Sequence, residues 1–167
     1  MAKMFISGEW VDAASGEVDE IRNPATGELV DTIPRGTRED ARRAIDAAEA
    51  AFPGWAEVPF SRRGELLFKA AALIRANEKE LAKTLTLEQG KPIRESVREI
   101  RRFAHTIEHY AGLGKNVRGG YVPLLDKGKY GRIIKKPIGV CGAIVPWNFP
   151  VALMGNKIGP GLLAGNT

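Results

Sequence analysis

A short turn near the end of the chain carries the residue types best suited to chemistry. It reads Pro146-Trp147-Asn148-Phe149-Pro150, and its two prolines fix two φ angles and restrict the residues that precede them. Such a rigid turn can hold a side-chain amide in one place. The local pattern alone favours an ordinary turn role for Asn148, so a chemical role needs independent support.

Cys141 is the only cysteine and therefore the only thiol nucleophile to consider. A thiol is activated by a nearby base, a cation or a helix N-terminus, but Cys141 falls in an apolar stretch that reads as a strand. We expect it to be inert and buried in the core. A single cysteine also excludes an intrachain disulfide framework and fits a reducing compartment.

Two histidines, His105 and His109, are four residues apart on a predicted helix, with Glu108 between them. This spacing can bind zinc on one helix face, but the metalloprotease glutamate after the first histidine is missing and no third ligand is obvious. A solvated helix face is the favoured interpretation, and no metal is expected. Lys157 lies in an apolar stretch, where a snorkelling side chain or an ion pair is expected.

The charge of the chain indicates no particular macromolecular partner. The 25 Lys and Arg exceed the 20 Asp and Glu by five, but acidic and basic residues are interspersed, as over residues 35–43. Nucleic-acid binders cluster their basic residues, so solvated helix faces explain the excess better. The sequence shows no secretory leader and no run of about 18 apolar residues, and we expect a soluble, cytoplasmic protein with no membrane partner.

Short strands and then helices are predicted along the chain. Residues 5–11 read as a hairpin that turns at Ser7-Gly8, residues 23–27 as a turn, and residues 29–33 as a strand. Four helices follow, each with a start signal. The starts are Thr37 with Asp40 in a capping box, Ser61, Asn77 with Glu80, and Pro92; the stops are Pro53-Gly54 and Gly90.

The fourth helix has the longest apolar stripe, spaced 4-3-4-3-4. The stripe consists of Ile93, Val97, Ile100, Ala104, Ile107 and Ala111. Residues 130–136 and 138–144 read as two strands interrupted at Pro137, and residues 151–163 as a last helix. The sequence thus predicts a mostly α-helical chain with short N-terminal hairpins and two strands near residues 130–144.

Several sequence blocks together resemble the aldehyde dehydrogenase superfamily, over essentially the whole chain and in the family's order. The blocks are residues 5–10, 23–27, 52–55, Glu88-Gln89-Gly90-Lys91-Pro92, Gly139-Val140-Cys141-Gly142, the turn at residues 146–150, and Ala164-Gly165-Asn166-Thr167. The resemblance is to the N-terminal portion of a longer family chain. Within the family the sequence is similar to lactaldehyde-, glyceraldehyde- and succinate-semialdehyde-type enzymes.

The resemblance implies roles for four residues at the turn. Asn148 matches the amide that stabilises the oxyanion formed when the family's cysteine attacks an aldehyde. Val145, Pro146 and Trp147 match positions that line the nicotinamide-ribose side of the cleft for NAD or NADP, although buried core is an equal interpretation for Trp147. Cys141 matches a structural cysteine.

The resemblance also implies an α/β family fold, of which this chain would supply only some parts. Residues 1–167 would supply the helical part of the cofactor-binding domain and, over about residues 122–144, part of an oligomerisation arm. The Rossmann core, the catalytic cysteine and the glutamate base fall outside the chain. Thr167 would directly precede the first strand of the nucleotide-binding sheet.

Two functions therefore remain open, together with a third that is less favoured. The first is a truncated NAD(P)-dependent aldehyde dehydrogenase, inactive alone, that acts on a small-molecule aldehyde and forms a homo-oligomer or pairs with a complementary half. The second is a non-catalytic module for self-association or subunit assembly. The third is nucleic-acid binding through the net charge of +5.

Overall fold

The computed structural model describes residues 2–124 and 126–167, in which short hairpins precede and follow a layer of packed helices. The expected fold class, mostly helical with short strands, is confirmed. The elements are β1 (Met4–Ile6), β2 (Glu9–Val11), β3 (Val18–Arg22), β4 (Leu29–Pro34), α1 (Arg38–Glu57), α2 (Phe60–Ala76), α3 (Glu78–Gln89), α4 (Ile93–Leu113), β5 (Gly120–Pro123), β6 (Tyr130–Ile133) and α5 (Pro150–Ala164).

The first hairpin forms where the sequence predicts it, and the second contains the predicted turn and the predicted strand β4, whereas its strand β3 was not predicted. Strands β1 and β2 pair antiparallel around Ser7 and Gly8, whose φ angles of 54° and 83° are those of a tight hairpin turn. Strands β3 and β4 pair around the predicted turn at residues 23–27, where the Asn23 side chain accepts a hydrogen bond from the Ala25 amide at 2.9 Å. Local turn chemistry is sufficient for both hairpins.

Helix α1 begins as predicted but does not end as predicted. The Thr37–Asp40 capping box is present. Pro53 lies inside the helix, which continues to Glu57, so the prediction that Pro53-Gly54 ends it was wrong. Contacts from elsewhere in the chain hold the extra turn, because the Trp55 indole donates to the Leu162 carbonyl at 3.1 Å and Arg63 binds carbonyls at the end of α1.

Of the next helix boundaries, the predicted start of α2 was wrong, whereas the predicted start and end of α3 are confirmed. Helix α2 starts at Phe60 with Pro59 as its N-cap residue, so Ser61 is not the cap. Asn77 stands at the N-cap of α3, but its side chain donates backwards to the Leu73 carbonyl at 2.8 Å and so closes α2. Gly90 ends α3 in the left-handed conformation at φ 80°, as expected.

Helix α4 is the centre of the core and packs against α2, α3 and α5. Of its predicted stripe, Ile100, Ala104, Ile107 and Ala111 are buried, whereas Ile93 at the start is exposed. Helix α5 approaches α4 closely through two glycines, because a Cβ at Gly155 or Gly159 would lie 2.8 Å from the Phe103 ring or 2.9 Å from the Tyr110 ring. The glycines of α5 therefore serve helix packing.

The strand predictions for residues 130–144 are half correct. Residues 130–133 form β6, but their antiparallel partner is β5 at Gly120–Pro123. Residues 138–144 form no strand, and their side chains are mostly exposed. A strand needs a neighbour for its backbone hydrogen bonds, and in the described part of the chain Thr167 alone makes backbone hydrogen bonds to this segment, at Gly139 and Cys141.

Arg63 of α2 joins the C-terminal ends of α1 and α5. It is 2% exposed, and its Nε donates to the Leu163 carbonyl at 2.8 Å. Its Nη1 donates to the carbonyls of Trp55, Ala56 and Val58. Helix C-termini leave carbonyls without intrahelical partners, so this one guanidinium supplies a donor to the carbonyls of Ala56, Val58 and Leu163. The Trp55 carbonyl also accepts from the Val58 amide at 3.1 Å.

Replacement of Arg63 by lysine should destabilise the fold by about 3 kcal/mol, because an ammonium cannot span carbonyls on two helices and unpaired buried acceptors are costly. Urea unfolding monitored by circular dichroism measures the change. The control is Arg62→Lys, at an exposed neighbour paired with Glu65, which should cost less than about 0.5 kcal/mol. Equal effects of the two substitutions would contradict the role of Arg63.

Asp40 gives the fold a predicted acid sensitivity. Hydrogen bonds from the backbone and hydroxyl of Thr37 and from the Ala14 amide lower the pKa of this carboxyl below 3.8, against the opposing effect of burial. A lowered folded-state pKa stabilises the protein above the unfolded value, and this contribution is lost as the pH falls below about 4 toward the folded value.

Acidification from pH 5 to pH 3 should therefore lower the urea midpoint of the wild type more than that of Asp40→Asn, because the variant has no carboxylate to protonate at this position. Asp46→Asn, on the exposed face of the same helix, should retain the wild-type difference. A wild-type pH response in Asp40→Asn would refute the prediction.

Candidate functional site

Side chains from outside the turn hold the backbone carbonyls of the turn that carries Asn148. The Gln89 Nε2 donates to the carbonyl oxygens of Trp147 at 2.7 Å and of Asn148 at 2.9 Å. The Lys91 Nζ donates to the same Asn148 oxygen at 3.0 Å and lies 4.7 Å from the centre of the Phe149 ring. The turn is therefore fastened to the bend between α3 and α4.

A buried carboxylate fastens the residues that follow the turn. Glu99 of α4 is 3% exposed, and its Oε1 accepts hydrogen bonds from the amides of Val151 at 2.9 Å and Ala152 at 3.2 Å. Its Oε2 forms an ion pair with Lys91. Because Phe149 provides no side-chain cap, Glu99 satisfies the free amides at the start of α5 from another helix.

The geometry of the α3–α4 bend places these partners. Gly90 reverses the chain in the left-handed conformation, and Pro92 is the N-cap residue of α4. Gln89 and Lys91 lie on either side of Gly90 and face the same turn. A Cβ at Gly90 would also lie 2.5 Å from the Pro24 ring, so a side chain is excluded both by the backbone conformation and by the β3–β4 turn.

The side chain of Asn148 has a different environment from its backbone. The residue is exposed, and within residues 2–124 and 126–167 its amide makes no hydrogen bond. It lines a groove of about 380 Å³ between the turn and residues 89–91, together with Trp147 and Phe149. The backbone is thus fixed while the amide is free to donate to a bound molecule.

The three residues expected beside a cofactor lie on an exposed segment. Val145 is 36% exposed and Trp147 is 83% exposed, and Pro146 between them is also exposed. The alternative interpretation of Trp147 as buried core was therefore wrong. The structure brings Trp147 together with Asn148 at the groove, whereas Val145 and Pro146 do not line it.

The expectation that Cys141 is a buried strand residue was wrong, because Cys141 is exposed and outside any strand. Its amide donates to the Thr167 carbonyl at 2.7 Å, and the Thr167 amide donates to the Gly139 carbonyl at 3.3 Å. This is the pattern by which two parallel strands begin to pair. The Asn166 Oδ1 also accepts from the amides of Ile138 and Gly139 at 2.7 and 3.1 Å.

The other candidate residues lie on exposed surfaces. His105 and His109 are exposed on α4, and Glu108 between them forms an ion pair with Arg75, whose hydrogen bond lowers the pKa of this carboxyl. In the described ranges, no group of three or more His, Cys, Asp or Glu side chains is arranged to hold a metal ion. Lys157 is exposed and borders the small groove that Cys141 also lines.

Comparison with known proteins identifies the lineage. Residues 10–167 match the model of the aldehyde dehydrogenase family. The chain belongs to the aldehyde dehydrogenase family. None of its described helices combines the length and apolar character required to cross a membrane.

Individual aldehyde dehydrogenases are similar over almost the whole chain. The glutarate-semialdehyde dehydrogenase of Pseudomonas putida is 42% identical over 98% of this chain and 34% of its own length. The NADP(+) succinate-semialdehyde dehydrogenase of Escherichia coli is 41% identical, with the same coverage. A crystal structure of succinate-semialdehyde dehydrogenase from Burkholderia pseudomallei is 43% identical, with a TM-score of 0.95 over 99% of this chain and 34% of that one.

The chain thus spans about a third of the length of the curated aldehyde dehydrogenases it matches. The predicted resemblance is confirmed, and succinate-semialdehyde enzymes are among the relatives. The supporting residue Glu99 was missed by the sequence analysis. Its helical spacing could have indicated it. Glu99 lies three residues after Ser96 and four before Phe103, and this spacing places a carboxylate on the buried face of α4.

The exposure of Cys141 leads to a chemical prediction. Iodoacetamide should alkylate Cys141 in the native chain at a rate close to that of the same chain unfolded in urea, because its thiol is accessible to the reagent. Mass spectrometry over time measures both rates. A native rate far below the unfolded rate would show that the thiol is covered, as the sequence had suggested.

Proposed function

We propose that this chain is the N-terminal part of an NAD(P)-dependent aldehyde dehydrogenase, in which Asn148 stabilises the oxyanion. The observation that supports this role is the contrast at Asn148: its carbonyl is held by two side chains, while its amide is exposed and has no partner in the described residues. Oxyanion stabilisation requires a donor that is already fixed before charge develops.

The proposed chemistry depends on the hydrogen bond that the Asn148 side-chain amide can donate. In the family's reaction a cysteine thiolate attacks the aldehyde carbon and the carbonyl oxygen becomes an anion. The Asn148 amide would donate a hydrogen bond to that oxygen and lower the barrier to attack. NAD or NADP, when bound, accepts the hydride, and Val145, Pro146 and Trp147 are the residues present that would line its nicotinamide-ribose side.

Turnover by these residues alone is not expected. Cys141, the only thiol, does not line the Asn148 groove, and without a nucleophile the covalent route is closed. The matching nucleophile and the glutamate that activates water would come from chain corresponding to the other two thirds of the relatives. A cytoplasmic location, expected from the single cysteine, stays a prediction.

A second candidate function, subunit assembly, is favoured by exposed apolar side chains in the chain segment that connects α4 to α5. Ile138 is 91% exposed, Ile144 is 89% exposed, and the rings of Tyr121 and Tyr130 stack on an exposed hairpin. Large apolar side chains and unpaired strand segments are surfaces on which proteins associate. Residues 122–144 would then act as part of an oligomerisation arm, and the chain as an assembly module.

A chimera provides the test of the proposed enzyme function. Residues 1–167 replace the equivalent N-terminal third of the Pseudomonas putida glutarate-semialdehyde dehydrogenase, and NADH or NADPH formation from glutarate semialdehyde is followed at 340 nm, a wavelength at which the reduced nicotinamide absorbs. We expect activity in the chimera and none in the isolated chain. A folded, correctly assembled chimera without activity would contradict the proposal and favour the assembly module.

Asn148→Ala in the active chimera should lower kcat by roughly 100- to 1,000-fold, the usual cost of removing one oxyanion donor. Its melting temperature should stay within error of the parent, because the amide has no partner in the described structure. Asn116→Ala, another exposed asparagine, is the matched control and should retain full kcat. Equal kcat values for the two variants would exclude an oxyanion role for Asn148.

A further inference from the structure

We propose that Gln89, Lys91 and Glu99 are positioning residues for Asn148, acting on the backbone of its turn and on the first turn of α5. None of the three bonds to the Asn148 amide itself. This inference rests on the proposed function, because it assigns the amide that the three residues position to the oxyanion.

The Gln89 side chain fixes the carbonyls of the turn. The carbonyl oxygens of Trp147 and Asn148 both accept from a single Gln89 nitrogen. The other terminal atom of that side chain, Oε1, is buried and has no partner among the described residues. The amide of Gln89 is therefore committed through its donor end to two successive carbonyls, which fixes the peptide planes on both sides of Asn148.

Glu99 and Lys91 set the direction in which the turn enters α5. Pro150 has no amide hydrogen, so Val151 and Ala152 supply the first amides of the helix, and Glu99 accepts from both. Lys91 contacts both the carboxylate of Glu99 and the carbonyl of Asn148. The two ends of the turn are thus connected through one buried ion pair, and a shift of either end would separate buried charges.

The ion pair between Lys91 and Glu99 is largely shielded from water. The side chains of Lys91 and Glu99 are 12% and 1% exposed, whereas the ion pairs of α4 with Arg75 and with Glu78 involve side chains that are more exposed. Shielded pairs with defined geometry order their neighbours more strongly than surface pairs do. The pair nearest to Asn148 is therefore the one best able to hold a fixed geometry.

Hydrogen exchange in the 167-residue chain tests the cluster directly. First-turn amides normally exchange fast because they lack intrahelical partners, so protection at Val151 and Ala152 reports on Glu99. Glu99→Gln should raise their exchange rates about 10-fold or more by removing charge-assisted bonds. Glu108→Gln, the same change on the same helix, should leave them unchanged. Unaltered protection in Glu99→Gln would overturn the proposal.

Gln89→Glu is the second variant and is nearly isosteric. It replaces the donor with an oxygen that repels both carbonyls, so heteronuclear NOE values for the amides of Trp147, Asn148 and Phe149 should fall. Asn77→Asp, which removes a single bond to the Leu73 carbonyl, is the control for the same charge change. Equal order at the turn in the two variants would overturn the proposal, and this measurement remains decisive if Glu99→Gln fails to fold.

The chimera separates positioning from general stability. Glu99→Gln and Lys91→Met should lower kcat about 100-fold with little change in KM, because displacement of a catalytic group by about 1 Å has that cost. Lys91→Arg, which keeps the charge and the donors, should recover most of kcat. If the substitutions changed only KM, or if Lys91→Arg did not restore kcat, the positioning role would be refuted. An inactive parent chimera would contradict only the proposed function, since exchange and NOE values still decide whether the cluster holds the turn.

Discussion

Helix α5 depends on charged side chains from other helices at both of its ends. At its N-terminus Glu99 accepts from Val151 and Ala152, and at its C-terminus Arg63 donates to the Leu163 carbonyl. The signs agree with the helix dipole, since an anion stabilises the N-terminus and a cation the C-terminus. Both side chains are almost fully buried, so these interactions are little screened by solvent.

Packing in the middle of α5 fixes the position of the helix along α4. Gly155 and Gly159 leave no room for a side chain against Phe103 and Tyr110, so α5 cannot slide along α4 without a clash. The Asn148 turn is the direct continuation of this helix toward its N-terminus. Its precision therefore depends on helix packing, and the residues that set it are distributed over α3, α4 and α5.

Local signals allowed part of this structure to be predicted. The hairpin at Ser7-Gly8 and the end of α3 at Gly90 require left-handed backbone, which few residues adopt without strain. The Thr37–Asp40 capping box is likewise a contact between near neighbours in sequence. At these positions the residues that determine the structure are adjacent in the chain, so pattern and outcome agree.

The wrong predictions involve partners distant in sequence. Pro53 does not end α1 because Arg63 and Leu162 hold the following turn. At the site, the turn could be predicted from Pro146 and Pro150, whereas the role of Asn148 rests on family resemblance and stays a prediction. The contacts of Gln89, Lys91 and Glu99 with the turn and with α5 could not be predicted, because they join residues 52 to 59 positions apart.

The contacts that fix the backbone of Asn148 are separate from the contacts that would bury the exposed apolar side chains near it. The described hydrogen bonds that hold the turn come from Gln89, Lys91 and Glu99 and from α5 itself. By contrast, Ile138, Ile144 and Trp147 expose most of their apolar surface, and burying them requires other protein surface. The backbone of Asn148 is thus set in place by this chain's own contacts, without any contribution from a covering surface. Under the proposed function, a mutation at Gln89, Lys91 or Glu99 would therefore alter catalysis without contacting substrate, and a mutation on the exposed segment would alter association without moving the backbone of Asn148.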